Sequence, residues 1–167
     1  MTTRGLTLLA QDTFTNVASV SFDNVFSANH RVYKIIAKGN TATGNSSWNL
    51  RMRANGTDYS SANYKRQIIG GDNTTVNGAR NTTDTSFTSF FRGDLNKETI
   101  SFTEIINPFE TFGTSAISNF GFDITGSIYV GLHSYGLDST LSYDGFTIFA
   151  GSGNNITGSV LVYGVNR

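Results

Sequence analysis

Apolar and polar residues alternate in short runs along this chain, and almost nowhere does the three-to-four-residue spacing of an amphipathic helix appear. The clearest run covers 47–54. Trp48, Leu50, Met52 and Ala54 fall on one side and Asn49, Arg51 and Arg53 on the other, because successive strand side chains point to opposite faces. The same pattern predicts strands over 31–38, 63–69, 86–91, 98–106, 116–124, 127–132, 146–150 and 158–165. Within 98–106, Ile100, Phe102 and Ile106 share a face with Glu104, while Phe120, Phe122 and Ile124 share one within 116–124. Segments 31–38 and 158–165 carry apolar residues on both faces, as strands paired inside a sheet do. Turn clusters divide the runs: Lys38-Gly39-Asn40, Asn55-Gly56, Gly70-Gly71-Asp72-Asn73 and Gly151-Ser152-Gly153-Asn154.

About eight to ten short strands with no helix long enough for a parallel crossover predict an all-β, antiparallel β-sandwich. Residues 13–167 read as one domain of ordinary size. Residues 1–12 carry the cluster Leu6, Leu8, Leu9 and read as an edge strand or as an arm that docks on another subunit. On the arm reading, deleting residues 1–10 would leave the fold intact.

Composition narrows the chemistry. The chain has 13 Phe and 7 Tyr, so an aromatic core is expected on the pleated faces. Charged residues make up 14% and the net charge is zero, below the usual ~25%. No basic field is present to hold a phosphate backbone, so nucleic acid is not an expected partner. Without cysteine there is no disulfide framework and no thiolate metal site. No apolar run reaches the ~20 residues of a membrane span, and Leu6–Leu9 is too short for a signal-peptide core. Neither membrane insertion nor signal-directed export is expected.

Candidate chemistry is sparse. His30 and His133 lie far apart in sequence, and no serine sits in a Gly-x-Ser-x-Gly elbow. A glycosidase needs two neighbouring carboxylates. The glutamates are Glu98, Glu104 and Glu110, and only Glu104, on the apolar face of its strand, hints at a perturbed acid. An ordinary ion pair or solvent exposure is the simpler expectation. No cluster has metal-ligand spacing, and no cofactor is expected. Arg92-Gly93-Asp94 is explained by a turn. The acceptor sequences at Asn45, Asn55, Asn73, Asn81 and Asn155 mark surface loops. Tyr59, Tyr64, Tyr135 and Tyr143 either stack on sugar rings or cap the sandwich with buried rings, and packing is the favoured reading.

Three stretches carry a family resemblance. They are Ser21-Phe22-Asp23-Asn24-Val25-Phe26 with the 31–38 strand; Leu50-Arg51-Met52-Arg53-Ala54-Asn55-Gly56-Thr57-Asp58 with Asn63-Tyr64; and Tyr143-Asp144-Gly145-Phe146-Thr147 running on to Gly158-Ser159-Val160-Leu161-Val162-Tyr163-Gly164. Together they resemble a small β-sandwich module of virion proteins from marine and cyanobacterial phages. The resemblance implies a jelly-roll-like sandwich on the particle exterior, often a homotrimer, in tail fibres or head decoration. It makes the expected partners the chain itself and other virion proteins, and the expected location the virion. A module that starts close to Met1 suggests a separate decoration, spike or fibre-tip subunit. The alternative expectation is a tip module that recognises host-cell glycans.

Overall fold

The computed structural model describes residues 5–42, 44, 46–95, 97–124 and 127–166. Strands β1 (Leu6–Val17), β13 (Ile156–Val165), β3 (Val32–Thr41), β9 (Thr99–Ile106), β10 (Thr114–Ile124), β11 (Ser127–Leu137), β6 (Tyr64–Asp72) and β7 (Thr75–Asp84) form one sheet, in that order. The second sheet runs β2 (Ser19–Phe22), β12 (Gly145–Ala150), β4 (Ser46–Ala54), and β4 also pairs with both β5 (Thr57–Asp58) and β8 (Phe87–Gly93). All pairings are antiparallel. The chain is an antiparallel β-sandwich without helix among the described residues.

Period-two patterning explains the two layers. From the larger sheet, Tyr33, Ile35 and Ala37 of β3 and Val160 and Val162 of β13 point inward, and all are fully buried. They meet Trp48, Leu50 and Met52 of β4 and Phe146 and Ile148 of β12. Aromatic rings run through this layer in contact with one another. Phe22, Phe146, Phe26 and Tyr33 follow at centroid spacings of 4.9, 5.6 and 4.6 Å. Phe14, Trp48 and Phe91 follow at 5.8 and 4.4 Å.

Of the four turn clusters, Asn55-Gly56 and Gly151-Ser152-Gly153-Asn154 turn as expected and the other two lie wholly or mostly in strands. Asn55 (φ 51°) and Gly56 (φ 75°) form the two-residue hairpin between β4 and β5, a geometry that asks for left-handed backbone at both positions. In the Gly70-Gly71-Asp72-Asn73 cluster only Asn73 turns (φ 53°), and the glycines belong to β6. Lys38-Gly39-Asn40 is not a turn either, for it lies inside β3. Gly39 pairs with Gly158 across the ladder, and Trp48 packs over both. A Cβ on Gly39 would sit 2.7 Å from Trp48 Cη2 and closer still to the Thr157 carbonyl.

The N-terminal segment is an edge strand, not a free arm. β1 pairs with β13 from Leu6↔Val165 onward and continues past residue 12, with a register shift between Leu8 and Ala10. Leu9 packs against the core, whereas Leu6 and Leu8 point outward at 51% and 47% exposure. Deleting residues 1–10 therefore strips a sheet edge. At that edge the Asn166 N–H donates to the Gly5 carbonyl at 3.0 Å, which brings the two ends of the described chain side by side.

Candidate functional site

The most unusual surface lies on the outer face of the larger sheet, and it begins with an inverted strand. In β9 the buried positions are Thr99, Ser101, Thr103 and Ile105, while Ile100, Phe102 and Ile106 face outward. The alternation is as expected, but its apolar side is the exposed one. The cause is β8. Only one edge of this strand pairs with β4, and the carbonyls of Thr88, Phe90 and Arg92 turn toward the inner face of the larger sheet. Hydroxyls meet them there: Tyr135 Oη donates to Thr88 O at 3.1 Å, Ser118 Oγ to Phe90 O at 2.5 Å and Thr99 Oγ1 to Arg92 O at 2.6 Å. Thr103 and Ser118 hydroxyls share a further bond at 2.8 Å. Buried carbonyls need donors; on β9, Thr99 supplies one directly and Thr103 bonds the Ser118 hydroxyl that supplies another, while Ser101 Oγ is buried without a partner among the described residues.

The outward apolar set is continuous across strands. The register places Ile36, Phe102, Asn119, Leu132 and Ile69 in one transverse row. The next row holds Lys38, Ile100, Gly121, Val130, Gly71 and Val76. Phe102 is 51% exposed, Val130 61% and Ile69 55%. Leu6 and Leu8, expected to dock as an arm, lie at the margin of this same face.

All three glutamates are engaged in ion pairs. Lys34 Nζ lies 2.9 Å from Glu104, its cross-strand neighbour, and Lys38 Nζ lies 2.7 Å from Glu98. Arg31 Nε is 3.4 Å from Glu110. Glu104 is thus an outward-facing partner of a lysine and not a buried acid. On the smaller sheet Arg53 donates to Asp23 at 2.7 Å and to Asp58 at 2.6 Å, and Thr147 also donates to Asp58 at 2.7 Å. Among the described residues no three acidic or histidine side chains gather to hold a metal ion.

The histidines have separate surroundings. His30 Nδ1 lies 3.2 Å from the Val165 carbonyl. His133 is 2% exposed, packs edge-on to Phe120 at 4.8 Å and bonds Tyr135 Oη at 3.0 Å. Burial, helped by the nearby Arg66 charge, lowers its pKa to about 4. No serine or thiol stands beside either ring as a nucleophile among these contacts.

Three of the four tyrosines weighed between packing and sugar stacking are core residues. Tyr64, Tyr135 and Tyr143 are 0%, 4% and 1% exposed, so no sugar can reach their rings. Burial pushes the Tyr143 phenol up to about 12. Tyr59 alone lines an open cleft of about 610 Å³ at one end of the sandwich, with Asn63, Phe112, Asp138, Thr140 and Leu141. Its hydroxyl accepts from Asn63 Nδ2 at 2.7 Å, and the Phe112 ring is 51% exposed. Phe112 carried no sequence signal, since it lies outside any alternating run. The Arg92-Gly93-Asp94 tripeptide belongs to β8 and its end: Arg92 lies over the Phe122 ring at 5.3 Å and Asp94 is buried. Of the glycan-acceptor sequences, Asn55 and Asn73 sit at hairpin turns, Asn81 lies within β7, and Asn45 falls outside the described residues.

No protein-family model matches the chain, and no curated protein matches it. Among solved structures, an E230A fructofuranosidase from Schwanniomyces occidentalis complexed with fructosylnystose aligns over 95% of this chain, at 8% identity and a TM-score of 0.27. The match spans 33% of that protein's length. A likeness this slight carries no argument about fold or activity.

Proposed function

We propose that this chain is a non-enzymatic structural protein of a bacteriophage particle surface, a self-associating subunit, trimeric in the resemblance, that docks on the head or tail. One observation carries the reading: an aromatic-filled sandwich turns a broad apolar sheet face outward, and the lysines on that face are paired with glutamates of the same chain. Such a body is suited to being built into something larger, and among the described residues no acid, base and nucleophile converge. The strand path is a second support. With β5, β6–β7 and β10–β11 set aside, the remaining strands order as β1-β13-β3-β9 and β2-β12-β4-β8. We read this as a jelly roll with inserted hairpins, an architecture recurrent in viral capsids and also in lectins, which makes it an argument by analogy. Mass spectrometry and antibody labelling of purified particles from a phage that encodes the chain test the proposal. The expected result is a stoichiometric virion component at one defined site, and loss of the chain during particle purification counts against it.

A glycan-recognising tip is the second reading, favoured by the cleft where exposed Phe112 and half-buried Tyr59 stand beside Asn63 and Asp138. Apolar sugar faces stack on aromatic rings while hydroxyls bond amides and carboxylates. A glycan array answers it, with Phe112→Ala as the variant that removes any signal.

A further inference from the structure

We infer that the outer face of β9, β10 and β11 is a self-association surface, and that its occupant is a second copy of this chain, with Phe102 of one copy seated in the hollow over Gly121 of the other. The inference rests on the structural-subunit reading above and adds to it the surface and the fit.

Size is the first argument. The exposed apolar side chains of β9, β10 and β11, together with Ile69 of β6 and Val76 of β7 in the same rows, present roughly 800 Å², about what each partner commits to an interface of standard size. A lone monomer's largest apolar patch is usually about 300–600 Å². The inversion of β9 strengthens the point. Exposing Ile100 and Phe102 to water is a cost that an isolated domain has no reason to keep, because threonine or lysine would pair as well at those positions.

Shape points to a copy of the same face. Phe102 stands as a ridge between two hollows. One, of about 480 Å³, is bounded by Leu6, Ile36, Ile117 and Asn119. The other, of about 210 Å³, lies over Gly121 between Ile100, Phe102 and Val130. Knob and socket thus sit next to each other on one surface, which is the self-complementary arrangement of an isologous contact between two copies. Nothing inside the chain requires a glycine at 121. A Cβ there would meet nothing closer than the Tyr129 carbonyl at 3.6 Å, an ordinary contact. A missing side chain at this point makes sense as room for a group from outside.

Charge agrees. Lys34, Lys38 and Asp123 on or beside this face are each paired within the chain, the last with Lys97 at 2.7 Å. Two identical faces can therefore meet without like-charge repulsion. For a polyanion or an anionic lipid surface, the two lysines of this face are already paired with glutamates.

Sedimentation equilibrium on the full chain tests the inference, using the parent, Phe102→Asp, Gly121→Val and, as a control on the opposite exterior, Ser19→Asp. The parent and the control are expected at a multiple of the 18.1 kDa chain mass. Phe102→Asp and Gly121→Val are each expected to weaken association about 100-fold or more, with circular dichroism and melting like the parent's. Because Gly121→Val fills the socket with a strand-forming residue, it holds the test open if Phe102→Asp misfolds. A parent that stays monomeric at tens of micromolar overturns the inference, as do folded variants that remain assembled. A monomer that is nevertheless a particle component means that another virion protein covers this face, which overturns the inference and spares the functional reading. Assembly through this face by a chain absent from particles does the reverse.

Discussion

At the scale of single residues, the interior is decided by hydroxyls as much as by rings. Ser118 is fully buried and its Oγ donates to the Phe90 carbonyl while sharing a bond with Thr103. Ser118→Ala removes the donor and leaves a buried carbonyl unsatisfied, so a loss of about 1–3 kcal/mol is expected in urea unfolding. Association should be unaffected, because the residue points away from the outer face. His133 gives a pH signature. Its pKa is about 4 in the folded chain against 6.5 unfolded, so the unfolded state binds more protons between these values. Its contribution is fully present above pH 6.5 and is lost as pH falls toward 4. The linkage amounts to about 3 kcal/mol. The parent should therefore lose that much relative to His133→Gln between pH 7 and pH 4, measured by paired urea titrations. Parallel pH profiles would contradict the burial argument. Asp84, whose carboxyl burial raises against the pull of Arg66, titrates in the opposite sense, and the subtraction cancels it.

At the scale of elements, β1 shows what pairing contributes. It covers one edge of β13, and Leu9 and Ala10 pack on the core. Removing residues 1–10 is expected to cost roughly 2–3 kcal/mol, about the worth of one buried leucine with its ladder. A lower urea midpoint with unchanged strand circular dichroism is the outcome to look for, and an unchanged midpoint would restore the free-arm picture. Most strands were legible in the sequence because their inner faces are apolar. β4 and β3 alternate openly between core and exterior. β7 was missed because both of its faces are exposed, which leaves its ten residues without the apolar rhythm that marks a strand. β9 was located correctly, but which of its two faces is covered was not legible. Alternation fixes which residues share a face but cannot say which face is covered, and the need of the β8 carbonyls for donors is not written in β9 itself. Gly39 read as a turn for a similar reason, since the Trp48 ring that excludes its side chain comes from the other sheet. The site was the least legible part. Phe102 and Val130 belong to one surface only once β9, β10 and β11 are in register.

For the whole molecule, the two sheets differ in what they offer. The smaller sheet turns arginine networks outward, with Arg53 holding Asp23 and Asp58, and Arg51 over the Phe149 ring at 4.6 Å. That exterior is polar and self-satisfied, suited to water. The larger sheet is apolar outside across its centre and unpaired at both edges, β1 and β7. Burial between copies would settle the centre, whereas β7 keeps its edge polar with Asn77, Arg80 and Asn81, a composition that discourages uncontrolled strand addition. The bond between Gly5 and Asn166 has a practical side. With those positions adjacent, a short linker can join them and the chain can be reopened at Asn73-Thr74, giving a circular permutant with the same layers. The module is for the same reason suited to insertion as a cassette in a surface loop of an unrelated host protein, entering and leaving at one point.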